Sequence, residues 1–280
     1  MNSLSYDIVT VGGGMGASAF AASMARQGVR VLILEKETQF RDRVRGEYLV
    51  TWGVAEARKL GMEETLLRSC GTQVPFVEMG FGPRNLLETT AQQMASLSFF
   101  HPKMQETLLT EAERAGAEVR RGVGVTAVQA GANPSVVAAG NGREEQISAR
   151  MIVVADGRGS TARKWAGFTT KTDAHPFHFA GVLLTGVSGR RDMATFVFNP
   201  EFGLVGGIVP QSHDRARAYL GIRRMGVSRS KEPRNWERFS PSRERSARCS
   251  RTATRRRRVW GRSRHSTRVT HGSTIPIDTE

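Results

Sequence analysis

Three stretches of this chain combine residue types and spacings that could do chemistry. The first is Gly12-Gly13-Gly14-Met15-Gly16-Ala17. It follows the apolar run Tyr6–Val11 at once and leads into an amphipathic helical pattern over 18–27. A second apolar strand pattern over 29–34 comes next and ends at Glu35. A strand, glycine turn, helix, strand and terminal acid in this order make a dinucleotide-binding βαβ unit. Gly12 allows the tight turn. Gly14 lets the backbone approach a pyrophosphate with no Cβ in the way. Ala17 is small enough for the helix to pack close on the strand. The helix N-terminus offers free N–H groups and a positive dipole end to phosphates. Glu35 lies 23 residues after Gly12, where a carboxylate can accept both hydroxyls of an adenosine ribose. Its charge opposes a 2′-phosphate, so NAD or FAD is expected rather than NADP. The plain alternative, an ordinary glycine-rich turn, would not call for that acid.

The second stretch is Asp156-Gly157-Arg158-Gly159-Ser160-Thr161-Ala162-Arg163, at the end of an apolar strand pattern over 151–155. In open α/β sheets, ligands lie outside the carboxyl ends of strands. Asp156 is placed to accept from a ribose or ribityl hydroxyl, and Gly157 allows close backbone approach. Ser160 can cap the next helix, and Arg163 can pair with Asp156 or a phosphate. The structural alternative is a capped turn with an Asp–Arg pair. The third stretch is Arg43-Val44-Arg45-Gly46-Glu47. Arg45 can reach a flavin ribityl or phosphate, although most such loop residues are simply solvated. Gln105, on the helix after His101-Pro102, can also point at a cofactor, while most polar helix residues face water.

These residues need elements to position them. The span 46–61 reads as a loop leading into a helix with Val54, Ala57 and Leu60 on one face. Residues 73–97 hold strand-like pieces broken by Gly80, Gly82 and Pro83. A helix is expected over 101–115, with Met104, Leu108, Leu109 and Ala112 as its apolar stripe and Gly116 ending it. Strands follow over 118–120 and 123–130, and 135–139 with 145–148 suggests a hairpin around Asn141-Gly142. Four further strands, 178–187, 194–199, 203–209 and 216–223, read as an antiparallel sheet. The expected class is therefore α/β, a Rossmann-like nucleotide-binding domain with an antiparallel sheet domain interleaved. Residues 1–72 and 101–170 are assigned to the first and 73–100 and 171–225 to the second, with a substrate cleft between them.

At 280 residues the chain is long enough for a large core or two smaller ones. Its two cysteines, Cys70 and Cys249, have no metal-ligand spacing and no disulfide pattern, so a reducing cytoplasm is the simplest setting. No signal peptide and no apolar stretch of transmembrane length is found. The net charge of +15 is uneven, because residues 226–280 carry +10 of it.

The order GGGMGA with Glu35, then RVRGEYL, then HPKMQETLLTEAERAGAEV, then VVADGRGSTAR resembles the group A flavoprotein monooxygenases, the para-hydroxybenzoate hydroxylase-like family. The likeness covers about residues 5–225. It implies a bound FAD, with Glu35 on the adenosine ribose and Asp156 near the flavin ribose portion. The cofactor contacts it implies are Gly12, Gly14, Met15, Ala17, Glu35, Lys36, Arg45, Gln105, Val125, Asp156 and Gly157, with no metal. It also implies NADH or NADPH as electron donor, with the Asp-Gly motif assisting flavin reduction. A flavin hydroperoxide formed with O2 would then hydroxylate an aromatic or similar small organic substrate. A reductase or halogenase on the same scaffold, or an inactive flavoprotein, stays open. A halogenase would want a cleft lysine and a Trp-rich motif, and neither can be placed. No residue is named as acid or base, since such hydroxylation needs positioning and a closed, dry cavity. Phe177, Phe179, Phe196 and Phe198 could line that cavity, although alternating strand aromatics are more often core. Ala17 and Lys103 are mild departures from the family pattern. The lack of a later Gly-Asp motif at a helix N-terminus is a severe one.

Residues 226–280 contain no Leu, against 16 in the first 225, and include Arg255-Arg256-Arg257-Arg258. Such a stretch is expected to be disordered. A nucleic-acid-binding arm, a solvated tail and a translation in the wrong frame compete, and no specific nucleic-acid partner is favoured. Back-translated over 259–280 and read from the third codon base, the chain permits the series V-G-P-L-A-T-F-D-A-G-D-A-W-V-D-H-P-Y-R-H-G. That series has a globular composition and resembles the segment preceding the missing motif. A slip near Ser228 to Ser230 is therefore the expected origin of the tail.

Overall fold

The computed structural model describes residues 6–171, 177–199, 203–212 and 214–223. The expectations for the tail fall outside these residues. In chain order the first elements are β1 (Tyr6–Val11), α1 (Met15–Ala25), β2 (Val31–Glu35), β3 (Tyr48–Leu49), α2 (Thr51–Lys59) and α3 (Glu63–Ser69). Next come β4 (Gly71–Val74), β5 (Phe76–Glu78), β6 (Pro83–Asn85), α4 (Leu86–Thr89), β7 (Ser96–Phe99) and α5 (His101–Arg114). Then follow β8 (Glu118–Arg121), β9 (Gly124–Gln129), β10 (Ser135–Gly140), β11 (Arg143–Val154) and α6 (Ala162–Trp165). The described elements end with β12 (Phe177–Thr185), β13 (Met193–Asn199), β14 (Leu204–Pro210) and β15 (Arg215–Arg223).

The first sheet runs β8-β2-β1-β11-β10-β9. Its β8, β2, β1 and β11 neighbours pair in parallel, and β9, β10 and β11 form an antiparallel meander. All five β2 residues are buried, as expected of a parallel strand covered on both faces. On one side, Ile8, Val31 and Ile33 pack with Ala21, Ala22, Met104, Leu108, Leu109 and Ala112 of α1 and α5. On the other, Val9, Val11, Leu32 and Leu34 pack with Val128, Val136, Ala138 and Ile147 of the meander. The parallel strands are thus the middle of three layers. Burying each large side chain of the α5 stripe contributes about 1.5–3 kcal/mol.

Two boundaries differ from expectation for physical reasons. α1 begins at Met15 rather than residue 18, because Gly14 takes an extended N-cap conformation and the helix starts inside the glycine turn. Its buried side is small (Ala17, Ser18, Ala21, Ala22), which lets helix and sheet approach closely. The strands expected at 145–148 and 151–155 are one strand, β11, long enough to pair with β10 first and β1 afterwards. Asn141 and Gly142 both have positive φ, +52° and +72°, as a two-residue type I′ turn requires.

The second sheet runs β12-β15-β14-β13-β5-β6, so the four expected antiparallel strands are neighbours. β5 joins β13 in parallel. The third sheet is small, β3-β7-β4. Of residues 73–100, then, β5 and β6 extend the second sheet while β7 pairs with β3 and β4. Along β12–β15 the register puts Phe177, Phe179, Phe196, Phe198, Arg217 and Tyr219 on one face. Val197, Ile208, Leu220 and Ile222 lie on the other, exposed face. No helix among the described residues is long and apolar enough to cross a membrane.

Candidate cofactor site

The parallel pairing of β1 with β2 and β11 brings three carboxyl ends to one edge. The glycine turn leaves β1 there, Glu35 closes β2, and Asp156 follows β11. Gly12 has φ +99°, and a Cβ on it would stand 2.7 Å from the Ala155 carbonyl oxygen. Only glycine fits a backbone this close to the neighbouring strand's exit. A Cβ on Gly14 would meet nothing within 4 Å, so this N-cap faces open space. No side chain caps α1, and its first-turn N–H groups, from Met15 to Ala17, have no intrahelical partner. The Met15 side chain packs against the core, so it is its backbone N–H that faces the turn. Ala17 is buried in the same layer.

Glu35 is buried, and its Oε2 accepts from the Gly13 N–H at 2.7 Å while its Oε1 accepts from the Glu37 N–H at 2.8 Å. Each oxygen retains a second lone-pair direction, which is what a ribose hydroxyl needs. The Val123 N–H donates to the Glu35 carbonyl at 3.1 Å. This draws β9 alongside, and a Cβ on Gly124 would lie 3.9 Å from Lys36 Cβ. Lys36 is exposed and Val125 half-buried. Glycine turn, Glu35, Lys36 and Val125 therefore share one neighbourhood.

Asp156 has a second duty. Its Oδ2 accepts from the N–H groups of Thr161 and Ala162 at 3.0 and 3.1 Å, and Ser160 Oγ accepts from the Arg163 N–H at 3.1 Å. Ser160 caps as the sequence suggests, and Asp156 caps beside it. Arg163 does not pair with Asp156: its guanidinium donates to the Arg158 carbonyl at 2.9 Å. Gly157, at φ +94°, has open space where a Cβ would stand.

Arg45 is half-buried, and burial, then Arg158, then Arg43 press its pKa down. Arg43 is neutralised by Glu37 at 2.9 Å. Among the described residues, no acid pairs with the guanidinium of Arg45 or Arg158. The Arg158 charge is thus felt at Arg45. With the open Gly14 cradle and the free α1 N–H groups, these two cations suit a pyrophosphate, and the residues present fit FAD. Gln105 is half-buried one turn beyond His101, and no hydrogen bond among the described residues ties it to the other candidates.

The largest polar feature nearby was not among the expected site residues. Glu47 is buried at 1 % exposure and accepts from Arg217 Nε at 2.7 Å, Gln211 Nε2 at 2.6 Å and the His101 N–H at 3.0 Å. The Tyr219 hydroxyl lies 2.9 Å from Glu47 Oε2 and 3.0 Å from the Arg45 carbonyl oxygen. Burial opposes the Arg217 charge, but Glu47 and Asp42 outweigh it and raise its pKa. Burial, reinforced by Glu47, pushes the Tyr219 phenol far up. The available signal was Arg217 itself: in an alternating strand it falls on the same face as Tyr219, where a charge demands a buried partner.

The four aromatics on that face divide. Phe196 packs edge-to-face on Tyr48 with centroids 5.6 Å apart and belongs to the core. Phe179 and Phe198 remain exposed, at 40 % and 54 %. Gly207 and Gly221 make room for the rings, since a Cβ there would stand 2.8 Å from Phe196 and 2.5 Å from Phe179.

A nucleotide-type three-layer unit with an aromatic sheet beside it defines a flavoprotein of the FAD-binding class. The family described as "FAD binding domain" matches residues 5–272, and the chain belongs to it. Among curated relatives, it is 28 % identical over 199 residues to aklavinone 12-hydroxylase of Streptomyces peucetius subsp. caesius, covering 63 % of this chain and 40 % of that one. It is 30 % identical over 166 residues to rifampicin monooxygenase of Streptomyces venezuelae, covering 58 % and 34 %. The chain therefore spans well under two thirds of the length of these relatives. Among solved structures, p-nitrophenol 4-monooxygenase PnpA of Pseudomonas putida superimposes with a TM-score of 0.68 at 18 % identity, covering 82 % of this chain and 60 % of that one. Aklavinone-11 hydroxylase, in complex with FAD and aklavinone, gives 0.64 at 20 % identity, covering 79 % and 46 %. These likenesses show the same fold.

Proposed function

We propose that this chain carries the site of an FAD-dependent monooxygenase that uses NADH or NADPH and O2 to hydroxylate an aromatic or similar small organic substrate. The observation that carries the reading is the meeting, at one strand edge, of the Gly14 cradle, Glu35 and Asp156; the unpaired cations Arg45 and Arg158 support it. When bound, the flavin supplies hydride acceptance and O2 activation. The chain's own residues bind and orient it. Gly12, Gly14 and the N–H groups of Met15 to Ala17 hold the pyrophosphate, Ala17 keeping helix and strand close. Glu35 takes the ribose hydroxyls, with Lys36 and Val125 beside the adenosine end. Arg45, Asp156, Gly157 and Gln105 take the flavin end. Residues 1–72 and 101–170 serve as the FAD-binding domain, and 73–100 with 171–225 as the substrate-binding domain. Phe179 and Phe198 cover the substrate and exclude water. The tail we read as a shifted frame, which sequencing the gene through codons 228–230 tests: an uninterrupted frame identical to this one removes the idea.

The experiment on function incubates the 280-residue chain with FAD, NADH or NADPH and a panel of phenols under isotopically labelled O2. Substrate-stimulated NAD(P)H oxidation with label in the product is the expected result. Hydride consumption that reduces the substrate without incorporating label would instead place the chain among flavin reductases.

A further inference from the structure

We propose that Glu47 is a positioning residue, locking loop 43–47 at once to the first turn of α5 and to the inner face of the antiparallel sheet. It thereby fixes the cofactor's Arg45 relative to the substrate-facing aromatics. The proposal rests on the FAD reading above. Its basis is a carboxylate with five donors drawn from three other parts of the chain. Oε1 accepts from the His101 N–H at 3.0 Å and an Arg217 terminal nitrogen at 3.2 Å. Oε2 accepts from Arg217 Nε at 2.7 Å and Gln211 Nε2 at 2.6 Å, with the Tyr219 hydroxyl at 2.9 Å.

The links tie α5, β12 and β15 to the loop. The N-cap residue of α5, Phe100, has no side-chain acceptor, and Glu47 supplies that carboxylate from across the fold. His101 grips the loop a second time, with its Nδ1 3.2 Å from the Gly46 carbonyl. Burial lowers the His101 pKa, which favours the neutral ring that donates there. Arg217 spans the loop, donating to Glu47 from Nε and Nη2 and to Asp42 Oδ1 from the same Nη2 at 2.7 Å. The Tyr219 hydroxyl has one proton for two acceptors, Glu47 and the Arg45 carbonyl, so it stitches the loop backbone to β15. Gly181 of β12 lets the sheet rest on the loop, since a Cβ there would stand 2.9 Å from Val44. A buried ion pair of this kind is weak as a source of stability, because an apolar pair of similar volume often does as well. What it supplies is a fixed direction for every attached group.

The test compares Glu47→Gln, Arg217→Met and the double variant with the parent chain. Hydrogen exchange by mass spectrometry reads the loop without any cofactor, and FAD titration by flavin fluorescence reads its consequence. In Glu47→Gln, exchange is expected to rise in loop 43–49 and the first turn of α5 while β1 and α1 stay protected. If the loop is then competent in about one tenth of molecules, FAD affinity falls about tenfold. The double variant, which leaves no buried charge unpaired, is expected to regain thermal stability without regaining FAD affinity. Unchanged exchange in Glu47→Gln overturns the proposal. So does faster exchange with unchanged FAD affinity, or a double variant that recovers stability and affinity together, which is the signature of a purely structural pair. A parent chain that binds no FAD strikes the FAD reading and the cofactor half of the proposal, and the exchange data still decide whether Glu47 locks the loop.

Discussion

Alanine at Gly12 and alanine at Gly14, two residues apart, are expected to fail in opposite ways. At Gly12 the φ of +99° already disfavours any Cβ, at about 1–2 kcal/mol. The new Cβ would also stand 2.7 Å from the Ala155 oxygen, 3.1 Å from the Ala155 carbonyl carbon and 3.2 Å from Asp156 Cα. All three are backbone atoms at the exit of β11 and cannot rotate away. Relieving such overlap costs about 1–3 kcal/mol more. The total, about 2–5 kcal/mol, is a large fraction of the roughly 5–15 kcal/mol that holds a protein folded. At roughly 2–4 °C per kcal/mol, Gly12→Ala lowers the Tm by about 4–20 °C. At Gly14 the backbone sits at φ −68° and ψ 176°, an ordinary conformation, and the Cβ meets nothing. Gly14→Ala is therefore stability-neutral or gains about 0.4–1 kcal/mol. Its methyl occupies the space through which a pyrophosphate must approach, and FAD affinity falls about tenfold or more, equivalent to ~1.4 kcal/mol. The assay is thermal unfolding of the chain without FAD, since bound ligand would mask the difference, followed by FAD titration of each variant. A Gly12→Ala variant as stable as the parent, or a Gly14→Ala variant that binds FAD as the parent does, refutes the geometric reasoning.

Three further outcomes are expected. Arg217→Ala leaves Glu47 buried without its cation and costs about 3–5 kcal/mol in urea-unfolding free energy; a loss below that of an exposed pair such as Lys59–Glu56 would contradict the network. His101 has a folded pKa below its unfolded value of about 6.5. The unfolded chain then binds more protons as pH falls below about 6.5, so stability drops there, and His101→Gln should flatten that part of the Tm–pH curve. Burial raises the Cys70 thiol pKa, so its alkylation by iodoacetamide at neutral pH should be slower in the folded chain than in urea.

What was legible in the sequence was local. Tyr6–Val11, the glycine turn and Glu35 sit within one βαβ unit, and the apolar stripe of α5 keeps the helical spacing from Met104 to Ala112. Such signals need no knowledge of distant partners. Short elements carried too little pattern: α3 spans two turns, and β3 is two residues whose strand character comes from pairing with β7. The halves of β11 look separate in sequence because Ala149 and Arg150 interrupt the apolar pattern between them, and only pairing with β10 on one side and β1 on the other makes one strand. At the site, Gly12, Gly14 and Glu35 could be read because a fixed spacing encodes their roles. Glu47 could not, since its main partner, Arg217, lies 170 residues away. The sequence points to Asp156 as a ligand for the cofactor, and its second role as cap of α6 emerges only once Thr161 and Ala162 turn back toward it.

The edge formed by β1, β2 and β11 is expected to bind FAD. The most direct measurement is an equilibrium titration of the purified chain with FAD, followed by flavin fluorescence and visible absorbance, beside the Glu35→Ala variant. The expected result is saturable binding of one FAD per chain with a perturbed flavin spectrum, weakened in Glu35→Ala while the fold is kept. A folded chain that leaves the flavin spectrum unchanged, or a Glu35→Ala variant that binds as tightly as the parent, would contradict it.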